Sequence, residues 1–144
     1  MKTLPNFILV IFLLISGCKT NHNNTIEGTW ELVSADWIVT DTIKFPNSKS
    51  DREIKIIGKK NFLFIRQDTS NSDMFFSGGG IYSFKDSTFT ETMEFSKWKG
   101  EIGHSVTYKC KFEDNLWIMT GPIDENGEVI KGWQLYEKWR RIDD

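Results

Sequence analysis

Cysteine, histidine and excess charge are all scarce in this chain. Two cysteines are too few for a disulfide scaffold or a multi-cysteine zinc site. The two histidines, His22 and His104, each lack a second histidine at metal-ligand spacing. Lysine and arginine number 18 against 20 aspartates and glutamates, a net charge of −2 with both signs interspersed. Without a basic excess nothing neutralises a phosphate backbone, so nucleic acid is not an expected partner. There is no Gly-x-Ser-x-Gly elbow, and no nucleophile has an evident base beside it. Gly78-Gly79-Gly80 lacks the Lys-Ser/Thr of a phosphate loop and reads as a bulge or tight barrel corner. Past residue 15 no segment holds a 3.6-residue apolar period over ten positions, and no internal repeat or low-complexity tract occurs. The expectation is no enzyme, no metal and no cofactor.

What is present is enough for one domain with a core: 144 residues, 39% apolar, 26% charged and 14% aromatic. The chain opens with an address. Lys2 precedes the unbroken apolar run Phe7 to Ile15, and the small residues Ser16 and Gly17 then lead to Cys18. That is the architecture of a secretory signal peptide, and the run is shorter than the roughly 20 residues of a membrane-spanning helix. Ile15-Ser16-Gly17-Cys18 resembles the bacterial lipobox. The resemblance implies cleavage after residue 17, acylation of Cys18 and a bilayer contact through that cysteine. Lys19 after the cysteine favours the outer membrane by resemblance to enteric sorting rules, with the domain facing the periplasm. Residues 18–25 are polar and read as a tether. Cys110 is then left without a partner, and its alternating context reads as a small buried hydrophobe.

From Ile26 to Ile142 the pattern is strand after strand. Alternating, β-branched and aromatic stretches fall at 28–35, 53–57, 61–67, 80–85, 88–95, 104–113, 115–121 and 133–142. Turn residues punctuate them, as in Lys85-Asp86-Ser87 and Glu113-Asp114-Asn115. A short helical turn fits between 36 and 50. Alternation places Phe89, Glu91, Met93 and Phe95 on one face, and Val106, Tyr108, Cys110 and Phe112 on one face of another strand. About eight half-buried antiparallel strands close most simply into a barrel, because closure removes exposed edges. A flat sandwich is the competing arrangement.

Gly28-Thr29-Trp30 at the start of the first strand and Trp139-Arg140-Arg141 at the end of the last resemble the closing elements of lipocalins. That resemblance implies a tryptophan sealing one barrel end with an arginine across its ring, here Trp30 and Arg141. The wider pattern is similar to small lipocalin-like proteins common in Bacteroidota. It is carried by residues 28–34, Ile54-Lys55-Ile56 with Phe62, Gly78-Gly79-Gly80-Ile81-Tyr82, Phe89-Thr90-Glu91 and Glu137 to Ile142. The group has no settled activity. Phe89 stands where that pattern has tyrosine.

Glu91 is the most informative residue, because it lies between Phe89 and Met93 on the face read as inward. A buried carboxylate is costly unless paired or protonated. Arg66 and Arg141 are candidate partners, and Tyr82 or Tyr108 could donate to it. Glu91 is either a polar anchor for a ligand or half of a structural pair. Arg66, alternating with Phe62 and Phe64, is inward or a surface arginine. Trp37, Trp98 and Trp133 lie near loops and could rim a barrel mouth. The resulting expectation is non-catalytic binding of a small, largely apolar molecule, with Glu91, Arg66, Tyr82 and Tyr108 making polar contacts. The other expectation is a filled barrel whose loops bind a protein partner.

Overall fold

In the computed structural model, residues 25–143 are described, apart from 39, 47 and 72. The leader, Cys18 and the tether up to residue 24 lie outside the described residues. Nine antiparallel strands account for most of the rest: β1 (Gly28–Ile38), β2 (Thr42–Phe45), β3 (Asp51–Ile57), β4 (Asn61–Asp68), β5 (Phe75–Lys85), β6 (Thr88–Ser96), β7 (Ser105–Glu113), β8 (Leu116–Gly121) and β9 (Gln134–Arg141). A single 3-10 turn spans Lys99–Glu101, and no α-helix occurs among the described residues.

Eight of the strands close a barrel. β3 to β9 pair in sequence order, and β1 joins both ends, through Gly28–Glu31 to β3 and through Trp30–Ile38 to β9. β2 is extra. It pairs with Ala35–Ile38, on the edge of β1 that β3 has left. Within 36–50 the described residues therefore include the end of β1 and all of β2 and not the expected helical turn, since β1 has unpaired backbone there for β2 to satisfy. Closure also rules out a flat sandwich.

Local chemistry sets the register. Asp86 and Ser87 (φ 50° and 63°) and Asp114 and Asn115 (φ 50° and 62°) form the two-residue turns of the β5–β6 and β7–β8 hairpins. Left-handed conformations at both positions give the twist that tight hairpins require. The glycine run forms a bulge: the β5–β6 register shifts between Gly79 and Gly80, opposite Phe95 and Met93. A Cβ on Gly80 would fall 2.0 Å from the Thr92 carbonyl oxygen, so the close strand approach tolerates only glycine.

That bulge corrects one expected face. Phe89 is fully buried and Glu91 is 9% exposed, as alternation predicts, but Phe95 is 71% exposed. Glu94 is the extra residue between the partners of Gly79 and Gly80, so parity flips and Phe95 points outward. On β7 the expected face holds, with Tyr108 and Cys110 buried and Val106 and Phe112 packed against the core.

The core fills one end of the barrel. Trp30, Phe89, Trp117 and Trp139 pack edge-on or tilted at centroid distances of 5.2–6.0 Å. The Arg141 guanidinium covers this end, 4.5 Å from the Trp30 ring centroid. It also donates to the carbonyls of Glu27 (2.7 Å) and Thr25 (2.6 Å).

Candidate functional site: an acidic cavity at the other end

The opposite end is open, because the inward positions there carry charge. β3 is the cause. Asp51, Glu53, Lys55 and Ile57 face in, while Arg52, Ile54 and Ile56 face out. Register explains this reversal of the usual polarity. Ile57 pairs with Phe62 across the turn at 58–60, and paired residues share a face. Once Phe62 enters the core, Ile57 follows, and every second residue back along β3 follows too. β4 adds Phe64 and Arg66, β6 adds Glu91 and Met93, β7 adds Tyr108, and β9 adds Leu135 and Glu137. With Glu53 and Lys55 of β3 they wall a cavity of about 740 Å³, to which Trp37, Phe76, Trp98 and Trp133 add rings, Trp98 and Trp133 being the exposed ones.

Two ion pairs organise the wall. Lys55 Nζ lies 2.6 Å from Glu91 Oε1, both side chains being almost fully buried. The ammonium also sits over the Trp139 ring at 4.9 Å and over Phe62, Phe89 and Trp117 at 5.7–5.9 Å. It thus marks the boundary between the aromatic plug and the cavity. Burial disfavours its charge, but Glu91, Glu137 and Glu53 together outweigh burial and raise its pKa. Arg66 makes a bidentate pair with Asp51, at 2.8 and 2.9 Å. Its guanidinium lies 4.6 Å from the Trp37 ring centroid and 5.6 Å from that of Phe76.

The remaining polar groups differ in how well they are satisfied. Glu137 accepts from the indoles of Trp37 (2.7 Å) and Trp139 (3.0 Å). Burial raises its pKa, against the pull of Lys55 and of those two hydrogen bonds. Glu53 is 7% exposed and accepts no hydrogen bond from the described residues. Burial, then repulsion from Glu137, pushes its pKa up to about 8, against the attraction of Lys55 and Arg66. Tyr108 is 5% exposed, and burial raises its pKa well above the ordinary value. On the same strand, burial pushes the Cys110 thiol up to about 12.

Of the four residues proposed for polar contacts, three meet in this cavity and one does not. Glu91, Arg66 and Tyr108 line it. Tyr82, although the register partner of Glu91, directs its hydroxyl to the closed end and donates to the Gly58 carbonyl at 2.7 Å. Glu91 pairs with Lys55 instead of Arg66 or Arg141, because Asp51 engages Arg66 and Arg141 is at the far end of the barrel. Glu53, Lys55 and Glu137 were missed. Their signal was the turn at 58–60, which couples the face of β3 to the aromatic face of β4.

No protein-family model and no curated protein sequence matches this chain. Among solved structures, it is similar to an uncharacterized protein from Bacteroides eggerthii DSM 20697 known from a crystal structure. The two are 16% identical, with a TM-score of 0.48, over 81% of this chain and 98% of that one.

Proposed function

We propose that this protein is a lipid-anchored lipoprotein of the cell envelope whose lipocalin-like barrel binds a small molecule without transforming it. The open cavity carries this reading. Its volume of about 740 Å³ lies within the roughly 300–1,000 Å³ of ligand pockets, and its wall combines rings with a few convergent polar groups. The Trp30–Arg141 contact supports the lipocalin-like type. The leader and Cys18 support the anchor, and Lys19 after the cysteine favours an outer-membrane position, with the domain facing the periplasm. The wall is more charged than an apolar-ligand site requires, so the ligand carries polar groups of its own.

The test is native mass spectrometry of the full chain, extracted in detergent from its own envelope. The expected spectrum shows an acylated N-terminal Cys18 and a non-covalent small-molecule adduct that weakens in Glu91→Gln. An unmodified Cys18 would remove the anchor. A bare protein mass in gentle conditions would remove the binding reading.

A second reading, a protein partner, draws on a different observation. Ile56, Leu63, Ile65, Phe75, Ile81 and Phe95 are exposed and adjoin one another across β3 to β6 on the outer wall. Contiguous apolar surface of this kind marks interaction sites. Cross-linking in the intact envelope, lost in Phe95→Asp, is the result that would favour it.

A further inference from the structure

The interior hydrogen bonds leave one carboxylate over. Asp51 is taken by Arg66, Glu91 by Lys55 and Glu137 by two indoles. Glu53 has no partner among the described residues, yet it is more than nine-tenths buried and faces the cavity. Its carboxylate oxygens are open to the cavity and not sealed in the wall, since among the described residues Trp117 Nε1 is the one fully buried side-chain polar atom without a partner. The charges point the same way. The cavity lining carries the carboxylates Glu53, Glu91, Glu101 and Glu137 beside the cations Lys55 and Arg66. An acyl carboxylate or a phosphate entering here would find both of these cations already engaged, Lys55 by Glu91 and Arg66 by Asp51. A purely apolar molecule would strip Glu53 of water and return nothing.

The rings add a second preference. Both resident cations already lie over aromatic faces, Lys55 over Trp139 and Arg66 over Trp37. The π-faces of this interior therefore hold cations. Trp98 and Trp133, both exposed, offer further ring surface to an apolar body. A bare metal ion does not fit the site, since no group of three or more His, Cys, Asp or Glu among the described residues is placed to hold one.

We propose that the cavity is selective for a protonated organic amine with an aromatic or apolar body, its ammonium donating to Glu53. This rests on the small-molecule reading above and names the ligand's class. Ammonium binding requires an ionised Glu53, whose pKa in the empty barrel is about 8. The charged groups acting on it are Lys55 on its own strand, Arg66 on β4, Glu91 on β6 and Glu137 on β9. Below pH 8, amine binding then releases a proton, and affinity climbs by up to about tenfold per pH unit toward pH 8.

Isothermal titration calorimetry of the full chain in detergent tests this with three probes of one shape: tryptamine, its neutral analogue tryptophol and the anion indole-3-propionate. Tryptamine is expected to bind at least about tenfold more tightly than tryptophol, a margin of one ion pair, with the propionate weaker than both. Proton release should appear as a buffer-dependent enthalpy at pH 7. In Glu53→Gln the amine should fall to the level of tryptophol and the proton release should vanish. An unchanged or higher thermal midpoint at pH 8 would show that the variant is folded. Equal binding of tryptamine and tryptophol, or an unaffected Glu53→Gln, overturns the amine proposal while leaving small-molecule binding intact. No binding of any probe at millimolar concentration overturns it too. The native mass spectrum then decides the broader reading separately, since an adduct of a neutral or acidic compound would preserve it.

Discussion

At the Trp30 end of the barrel the inward positions carry rings, and at the Trp37 end the same strands carry charge. Along β9 the change takes two residues, from Trp139 in the plug to Glu137 in the cavity wall. Along β3 it runs from Ile57 in the core to Lys55, Glu53 and Asp51. Both ends obey the same two-residue alternation, so folding alone did not require the difference. Packed rings contribute apolar burial and dispersion, whereas buried ions return little net stability against a hydrophobic equivalent. The charged end is the half whose composition stability does not explain.

Substitutions can break or sharpen that contrast. The largest effect belongs to the plug. Trp117→Ala removes a fully buried ring in contact with Trp30, Phe89 and Trp139, and should cost about 3–5 kcal/mol in urea unfolding. A loss below about 1 kcal/mol would mean that the closed end is not the structural half.

Next comes Lys55→Met, which leaves Glu91 and Glu137 without their cation. It should cost about 3 kcal/mol near pH 8, and the deficit should shrink toward pH 5 as Glu137, whose pKa burial already raises, takes up a proton. A pH-independent deficit would assign Lys55 to packing alone.

Glu53→Gln should act in the opposite direction. Because the folded pKa of about 8 lies above that of a free glutamate, Glu53's contribution to stability is intact below about pH 4.5 and declines as pH rises through 8. The variant should therefore gain up to about 5 kcal/mol at pH 9 and less than about 1 kcal/mol at pH 5. A loss at pH 9 would show that Glu53 is a structural acid with a partner.

Arg141→Ala forfeits the Trp30 stack and two carbonyl hydrogen bonds, for about 1–2 kcal/mol in the same assay. The smallest effect is chemical. Cys110, with its thiol pKa near 12, should resist iodoacetamide in the native barrel and react in urea. Rapid native labelling would mean that the core around it opens.

The strands were legible because alternation and turn residues are local signals. The inward faces of β7 and of most of β6 followed from them. Phe95 was misread because a bulge changes parity without any mark in β6 itself; its cause sits in Gly79-Gly80 on the neighbouring strand. β3 was opaque for a related reason. Ile54 and Ile56 look like core residues, yet they face out because Ile57 must pair with Phe62. Facing is a property of pairs of strands, so reading one strand at a time recovers Glu91 and misses Glu53, Lys55 and Glu137.

The way the chain enters the barrel has a consequence for access. Thr25 to Glu27 lead in beside Arg141, at the end sealed by Trp30. The described chain therefore enters at the sealed base of the barrel, and the cavity opens at the end opposite to it. β1 has eleven residues, and at about 3.3 Å each along a tilted barrel strand it lifts the rim roughly 25–30 Å from that base. Whatever enters the cavity thus does so at the end farthest from the chain's point of entry into the barrel.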